Sequence, residues 1–105
     1  MPNVATNGSA CTTGHGCDTT TTINGGSTDV LIGTQGVARK DDPLASHTIP
    51  NNANPPVCVS HPNQKVNVGL NSVLVNNRPI AVVGNSVDIG GQITQGSNTV
   101  VAGSQ

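Results

Sequence analysis

Short apolar runs alternate along the chain with stretches of Gly, Asn, Thr and Ser. The segment 26–33 reads Gly-Ser-Thr-Asp-Val-Leu-Ile-Gly. The segment begins with a glycine, continues with small polar residues and three apolar residues, and ends with a glycine. The same order, with Gly or Asn at the end, recurs in 69–76 and 96–103. A β-branched residue precedes each leading glycine by three positions, at Ile23, Val66 and Ile93. Short apolar runs between turn residues are typical of strands, so each copy predicts strand, tight turn and strand, which is a hairpin.

The first two copies continue alike, since a further turn and strand follow in 35–43 and again in 77–85. The stretch between Ala45 and Gln64 is surplus to this repeat. We expect it to be a loop or extended arm, because proline is excluded from central strands. The chain is then one domain, 1–105, with repeats at about 18–43, 61–85 and 88–104 and an insertion at about 44–63. The prolines of the surplus stretch are Pro50, Pro55, Pro56 and Pro62.

One copy cannot bury its Val and Ile side chains alone. Three hairpins can close around a common axis, each covering the exposed edge of its neighbour. We therefore predict an all-β fold, a small pseudo-threefold cone of three repeated β-hairpins with a long loop insertion. The alternative is that the copies reflect ordinary β-turn chemistry in a generic sandwich.

Composition excludes several classes of protein. Since the 105 residues include no Phe, Tyr or Trp, the core must come from 14 Val, 6 Ile and 4 Leu, and Val favours a pleated sheet. Charged residues make up 9% and the formal net charge is −1, which argues against nucleic-acid binding because that requires a basic patch. No apolar run is long enough to cross a bilayer and no signal peptide is visible, so we expect synthesis in the cytoplasm.

All histidines and cysteines lie within the first 61 positions, most of them in two short clusters. Imidazole and thiolate are the usual zinc ligands, and Cys58 and His61 can chelate across a turn while His15 and Cys17 alternate by two. This clustering predicts a structural metal site. The alternatives are solvated histidines, buried spectator cysteines, or a disulfide between Cys11 and Cys17, although three cysteines leave one unpaired. The histidines are His15, His47 and His61, and the cysteines are Cys11, Cys17 and Cys58.

No catalytic constellation accompanies these residues. A catalytic metal needs an open coordination position and a nearby general base, yet the chain has no Glu and its Asp residues form no evident acid–base pair. The glycines mark turns and are not followed by a helix, so they form no phosphate-binding loop. We expect a protein that is not an enzyme. The alternatives are a small metal-dependent hydrolase and a carbohydrate-binding β-domain, the latter disfavoured by the missing aromatics.

The order of these motifs resembles that of PAAR-repeat proteins, a family of spike-tip proteins of phage tails and type VI secretion. The family signature is a Pro-Ala-Ala-Arg-like element after such a strand, and Val-Ala-Arg at 37–39 and Arg-Pro-Ile-Ala at 78–81 resemble it. Thr-Gly-His-Gly-Cys at 13–17 looks like the family's opening. The family's Gly-Asp corresponds to Lys40-Asp41 and Gly84-Asn85, and Ile89, which cannot bind metal, stands near a family His or Cys position.

The resemblance implies a conical tip whose flat base sits on a trimeric β-helical spike, one chain per trimer, with a zinc ion at its apex. The family's three His and one Cys imply the ligands His15, His47 and His61, with Cys58 as the preferred fourth ligand and Cys17 as the second choice. The implied partner is a VgrG-like or phage central spike, contacted through the ends of strands 30–32, 73–75 and 100–102. Effector cargo and transient contact with a target membrane are further implied, at a virion tail tip or a secreted contractile injection system.

Overall fold

The computed structural model describes residues 2–102, and within that range the chain is all-β. Ten short strands pair as five two-stranded antiparallel sheets, which isolated bridges join into one elongated body of 45 × 28 × 23 Å. Residues 2–102 contain no helix that is long and apolar enough to cross a bilayer. The strands are β1 Ala10–Thr12, β2 Thr20–Thr22, β3 Leu31–Ile32, β4 Gln35–Gly36, β5 His47–Pro50, β6 Cys58–His61, β7 Leu70–Val75, β8 Arg78–Ile80, β9 Ser86–Val87 and β10 Gly91–Gln92.

The apolar strands of the first two copies pair with the segments that follow them. Strand β3 pairs with β4 across a turn at Gly33, and β7 pairs with β8 across Asn76 and Asn77. All three turn residues have positive φ, as two-residue hairpin turns require, and Gly and Asn adopt it most readily. The prediction that each copy forms a hairpin between its β-branched residue and its apolar run is therefore wrong. The residues Ile23, Val66 and Ile93 instead form isolated bridges to Leu44, Val87 and Cys11, respectively.

The leading glycine of each copy lies where two backbones approach closely. A Cβ added at Gly26, Gly69 or Gly96 would lie 2.7, 2.8 or 2.8 Å, respectively, from a carbonyl oxygen of the neighbouring segment. No side chain fits in that space. Glycine is therefore required at these three positions by the close approach of the neighbouring backbone.

The surplus stretch contains a β-hairpin, which corrects the expectation of a loop or extended arm. Strands β5 and β6 pair from His47↔His61 to Pro50↔Cys58, and residues 51–57 connect them. Pro50 is tolerated because it ends a strand of a two-stranded sheet, where no second neighbour needs its missing N–H. Proline thus excludes a central strand here but permits an isolated hairpin.

Three buried alanines are joined by a closed ring of backbone hydrogen bonds. Ala5 N–H donates to Ala81 O at 2.9 Å, Ala81 N–H to Ala38 O at 2.9 Å, and Ala38 N–H to Ala5 O at 3.0 Å. Ala38 and Ala81 belong to the first two copies, whereas Ala5 lies near the N-terminus. The N-terminal segment thus complements the third copy, and Asn3 bridges Val101 of that copy. The last residue of the third copy, at position 103, lies outside the described residues.

The same turn follows each alanine of the ring. The residue after the alanine donates its backbone N–H to a side-chain oxygen of the residue three positions later. The backbone N–H of that later residue donates to the backbone carbonyl oxygen of the earlier one. Asp42, and not Asp41, therefore corresponds to Asn85, which corrects the alignment of the sequence motifs by one residue. The three donors are Thr6, Arg39 and Val82, and the acceptors are Ser9, Asp42 and Asn85.

The alanine ring lies at the boundary between two buried apolar clusters. The ring alanines belong to one cluster, and the residue directly before each alanine belongs to the other. The alanine cluster contains Ala5, Cys11, Ile23, Ala38, Leu44, Val66, Ala81, Val87 and Ile93. The valine cluster contains Val4, Val37, Val75, Ile80, Val82 and Ala102.

Asp42 is a buried charge that links the first two copies. Its Oδ1 accepts a hydrogen bond from Nη2 of Arg39 at 2.9 Å and another from Nη2 of Arg78. Its Oδ2 accepts from Nε of Arg39 at 3.1 Å. Because a buried carboxylate must be paired, the two arginines fix the first copy against the second.

Candidate metal centre

The β5–β6 hairpin brings two imidazoles together. His47 begins β5 and His61 ends β6, and the two are register partners. Side chains of directly opposed residues project from the same face of a hairpin. The centroids of the two rings consequently lie 5.3 Å apart.

The third imidazole, that of His15, belongs to the segment 13–18 between β1 and β2. Thr13 closes this segment, because its hydroxyl donates to Asp18 O at 2.7 Å. Gly14 has φ 79, and a Cβ added there would lie 2.5 Å from the carbonyl carbon of Gly90. Only glycine therefore lets the segment pack against the β9–β10 turn.

Asp88 is the fourth member of the group and is the first residue of the turn between β9 and β10. Its Oδ2 lies 2.5 Å from Nε2 of His47 and 3.2 Å from Nε2 of His15. Its Oδ1 lies 3.5 Å from Nδ1 of His61. One potential ligand atom from each of the four residues lies within 4.8 Å of the others. We call His15, His47, His61 and Asp88 the histidine–aspartate cluster.

Backbone carbonyls orient two of the imidazoles. Nδ1 of His15 lies 2.9 Å from Gly16 O, and Nδ1 of His47 lies 2.9 Å from Ala45 O. Because a carbonyl oxygen only accepts hydrogen bonds, these contacts fit a proton on each Nδ1, and each Nε2 faces the carboxylate of Asp88. Electron-rich atoms this close need a positive charge between them. Protonated rings or a metal cation would supply that charge.

The cluster is largely shielded from solvent. Its side chains are 9% exposed at His15, 3% at His47, 13% at His61 and 0% at Asp88. Oδ1 of Asp88 is buried and has no hydrogen-bond partner among the described residues, which is costly for a carboxylate unless a cation is bound. Three imidazole nitrogens and a carboxylate oxygen are donors that zinc accepts, so these residues fit a structural metal ion.

Asp18 attaches the His15 segment to β5. Its Oδ2 accepts hydrogen bonds from the backbone N–H of Thr48 at 2.8 Å and from the Thr48 hydroxyl at 2.9 Å. These bonds, with the backbone donor first, lower the pKa of Asp18 from its usual value of 3.8. The carboxylate is therefore ionised near neutral pH and keeps the segment beside His47.

Cys58 lies outside the cluster, which corrects the expectation that Cys58, or Cys17 as the second choice, is the fourth ligand. Cys17 and Cys58 form a disulfide with a Cα–Cα distance of 5.8 Å, so neither presents a thiolate. The alternative pairing of Cys11 with Cys17 does not form either. Cys11 is a free thiol buried in β1, and burial raises its pKa to about 11. The carboxylate of Asp88 lies where a thiolate was expected.

Sequence reasoning proposed the three histidines and missed Asp88. The third copy contains a signal for it, since Asp-Ile-Gly-Gly at 88–91 stands where the resembling family places a His or Cys before Gly. Ile89 cannot bind metal, but Asp88, directly before it, can. Aspartates are common in tight turns, so residue type alone did not distinguish Asp88 from the other four.

Neither a protein-family model nor a curated protein matches this chain.

Proposed function

We propose that this chain is a structural, membrane-piercing tip that caps the trimeric β-helical spike of a contractile injection apparatus. In this proposal one zinc ion occupies the histidine–aspartate cluster. The observation that carries the proposal is the closed ring of hydrogen bonds among Ala5, Ala38 and Ala81. Three equivalent bonds around one axis are what a pseudo-threefold body requires, and such a body can face a true threefold trimer with one chain per trimer.

Two further sets of equivalent features support a threefold body. The turn after each ring alanine has the same pattern of hydrogen bonds. Each leading glycine approaches a neighbouring carbonyl oxygen in the same way. These repeated features favour the threefold body over coincidental turn chemistry in a generic sandwich.

Large apolar side chains are exposed in the strand ends of all three copies. Their exposed fractions run from 38% to 58%, and Leu31, Leu74 and Val101 each have a sequence neighbour that belongs to or packs against the valine cluster. Exposed apolar side chains that recur in three equivalent segments favour a partner with the same threefold arrangement. We call this set the basal residues. They are Val30, Leu31, Leu74, Val100 and Val101.

The histidine–aspartate cluster adjoins the other apolar cluster. Asp88 directly follows Val87, and His47 lies three residues after Leu44, and both apolar residues belong to the alanine cluster. These neighbours support an arrangement in which the metal ligands lie on one side of the alanine ring and the basal residues on the other. We take the two groups as the apex and the base of the proposed tip.

A metal ion has a structural purpose in so small a body. A chain of 105 residues without aromatic side chains buries little apolar area, and a bound metal adds its binding free energy to that of folding. The closed cluster favours this role over catalysis, since a catalytic metal keeps a position open for water or substrate. We therefore propose that the protein is not an enzyme.

The test is to mix the purified chain with a soluble trimeric β-helical spike and to measure stoichiometry and metal content together. Native mass spectrometry is expected to find one chain and about one zinc ion per spike trimer. Failure to bind any trimeric spike, together with a metal-bound water that exchanges with solvent, would contradict the proposal and favour the metal-dependent hydrolase.

A further inference from the structure

The disulfide joins the two segments that carry His15 and His61. Cys17 follows His15 by two residues, and Cys58 precedes His61 by three, so the bond spans 41 residues of chain directly beside the histidine–aspartate cluster. Neither sulfur belongs to the cluster. The bond therefore acts on the cluster only through the positions of the histidines.

The segment that carries His15 has few other attachments. Residues 14–18 pair with no strand, whereas His47 and His61 lie in a paired hairpin. Apart from the disulfide, the segment contacts that hairpin through hydrogen bonds between Asp18 and Thr48 and through Nε2 of His15, which lies 3.2 Å from Nδ1 of His61. His15 is thus the member of the cluster whose position depends most on the disulfide.

We propose that Cys17 and Cys58 are a redox-dependent positioning pair for the metal centre. In the oxidised chain the disulfide holds the imidazole of His15 in place before metal binds, and the metal is bound more tightly than in the reduced chain. A ligand that is already positioned loses less conformational freedom on binding. This inference rests on the proposed metal centre and extends it to redox control.

Metal binding and oxidation must assist one another. If the disulfide raises metal affinity by a given factor, bound metal raises the equilibrium constant for disulfide formation by the same factor. A metal-loaded chain made in a reducing cytoplasm would then be oxidised readily on reaching an oxidising exterior, where the disulfide retains the metal.

The oxidation is a balanced thiol–disulfide exchange. One cysteine sulfur attacks a small-molecule disulfide, such as glutathione disulfide, so that a mixed disulfide forms and one small thiol leaves. The second cysteine sulfur then displaces the other small thiol as the protein bond forms. The two cysteines lose two electrons and two protons in total, and the small disulfide gains them as two thiols.

The first test is zinc affinity, measured by competition with a chromophoric chelator. Four samples are compared: the oxidised chain, the chain reduced by a phosphine, the double variant Cys17→Ser/Cys58→Ser, and the control Cys11→Ser. The double variant lacks the disulfide and also lacks the two free thiols of the reduced chain, which could bind zinc themselves. We expect the reduced chain and the double variant to bind zinc about tenfold more weakly than the oxidised chain and the control.

The second test is the equilibrium constant of disulfide formation in a glutathione buffer, with and without zinc. We expect zinc to raise it by the factor found for affinity, a change that a disulfide important only for general stability would not show. Equal zinc affinity in the oxidised and reduced chains would overturn the inference while leaving the metal centre intact. Failure of every sample to bind zinc would overturn the metal centre itself, and the inference with it.

Discussion

Nε2 of His15 and Oδ2 of Asp88 lie 3.2 Å apart, although 73 residues separate them along the chain. The contact joins the segment after β1 to the turn between β9 and β10. It therefore forms only when the N-terminal and C-terminal parts of the chain are folded together. A metal ion bound at this contact stabilises the closed fold as a whole, because such a site does not exist in the unfolded chain.

Replacing Asp88 with asparagine should remove most of the stabilisation by zinc. Asp88→Asn keeps the shape of the side chain but removes the negative charge that faces the three imidazoles. At a zinc concentration one hundred times the dissociation constant, the wild type should gain about 2.7 kcal/mol of unfolding free energy. The variant should gain much less. Thermal unfolding with and without zinc measures this difference.

The matched control for Asp88→Asn is Asp29→Asn, which makes the same chemical change at an exposed aspartate outside the cluster. The control should keep the full response to zinc. If Asp88→Asn responds to zinc as the wild type does, Asp88 is not a ligand.

Thiol counting should distinguish the three cysteines. The native chain, purified without reductant, should not react with a thiol reagent at pH 8, because Cys11 is buried and its pKa is raised to about 11. Denaturation alone should expose one thiol, and denaturation with reductant should expose three. Three reactive thiols before reduction would contradict the Cys17–Cys58 bond, and rapid labelling of the native chain would contradict the burial of Cys11.

The buried carboxylate of Asp42 should be important for stability. Asp42→Asn leaves Arg39 and Arg78 without their shared charge partner and should lower the free energy of unfolding by about 3 kcal/mol, as expected when one member of a buried ion pair is lost. Urea denaturation measures this change. The control Asp41→Asn alters an exposed aspartate paired with exposed Lys65 and should have a much smaller effect. An equal loss in both variants would mean that the turn, and not the ion pair, is responsible.

The strand character of the fold could be predicted from the sequence, but strand pairing could not. The short apolar runs and the Asn76-Asn77 turn are local signals, and the structure contains this turn and the apolar strands of the first two copies. The third run, 100–102, forms only an isolated bridge at Val101, so its prediction as a strand is wrong. Pairing depends on close approaches that only the closed body defines, such as Gly26 against the carbonyl of Gly36. Ala5 lies outside the apolar-strand motif that defined the copies, so its place in the alanine ring was not predicted. The pair Val4-Ala5 nevertheless repeats the β-branched residue and alanine of 37–38 and 80–81.

The candidate metal centre was predictable to the extent that its residue types are rare. Three histidines near one another in a weakly charged chain are conspicuous, and they do lie together. The disulfide of Cys58 was not predictable, because a cysteine near histidines can either bind a metal or form a disulfide. Its partner Cys17 comes close only after the His15 segment folds against the β5–β6 hairpin.

Charge introduced at the proposed base should weaken binding to the spike, whereas charge near the proposed apex should not. Leu74 is 58% exposed among the basal residues, and Ile89 is 61% exposed next to Asp88. Leu74→Asp would bury an unpaired charge at the interface and should weaken binding to a trimeric spike by about tenfold or more. Ile89→Asp makes a similar substitution at a similarly exposed site and should leave affinity unchanged. Isothermal titration calorimetry compares the two variants, with equal unfolding midpoints required of both. If Ile89→Asp weakens binding and Leu74→Asp does not, the chain contacts its spike through the end that carries the histidine–aspartate cluster, and the proposed orientation is wrong.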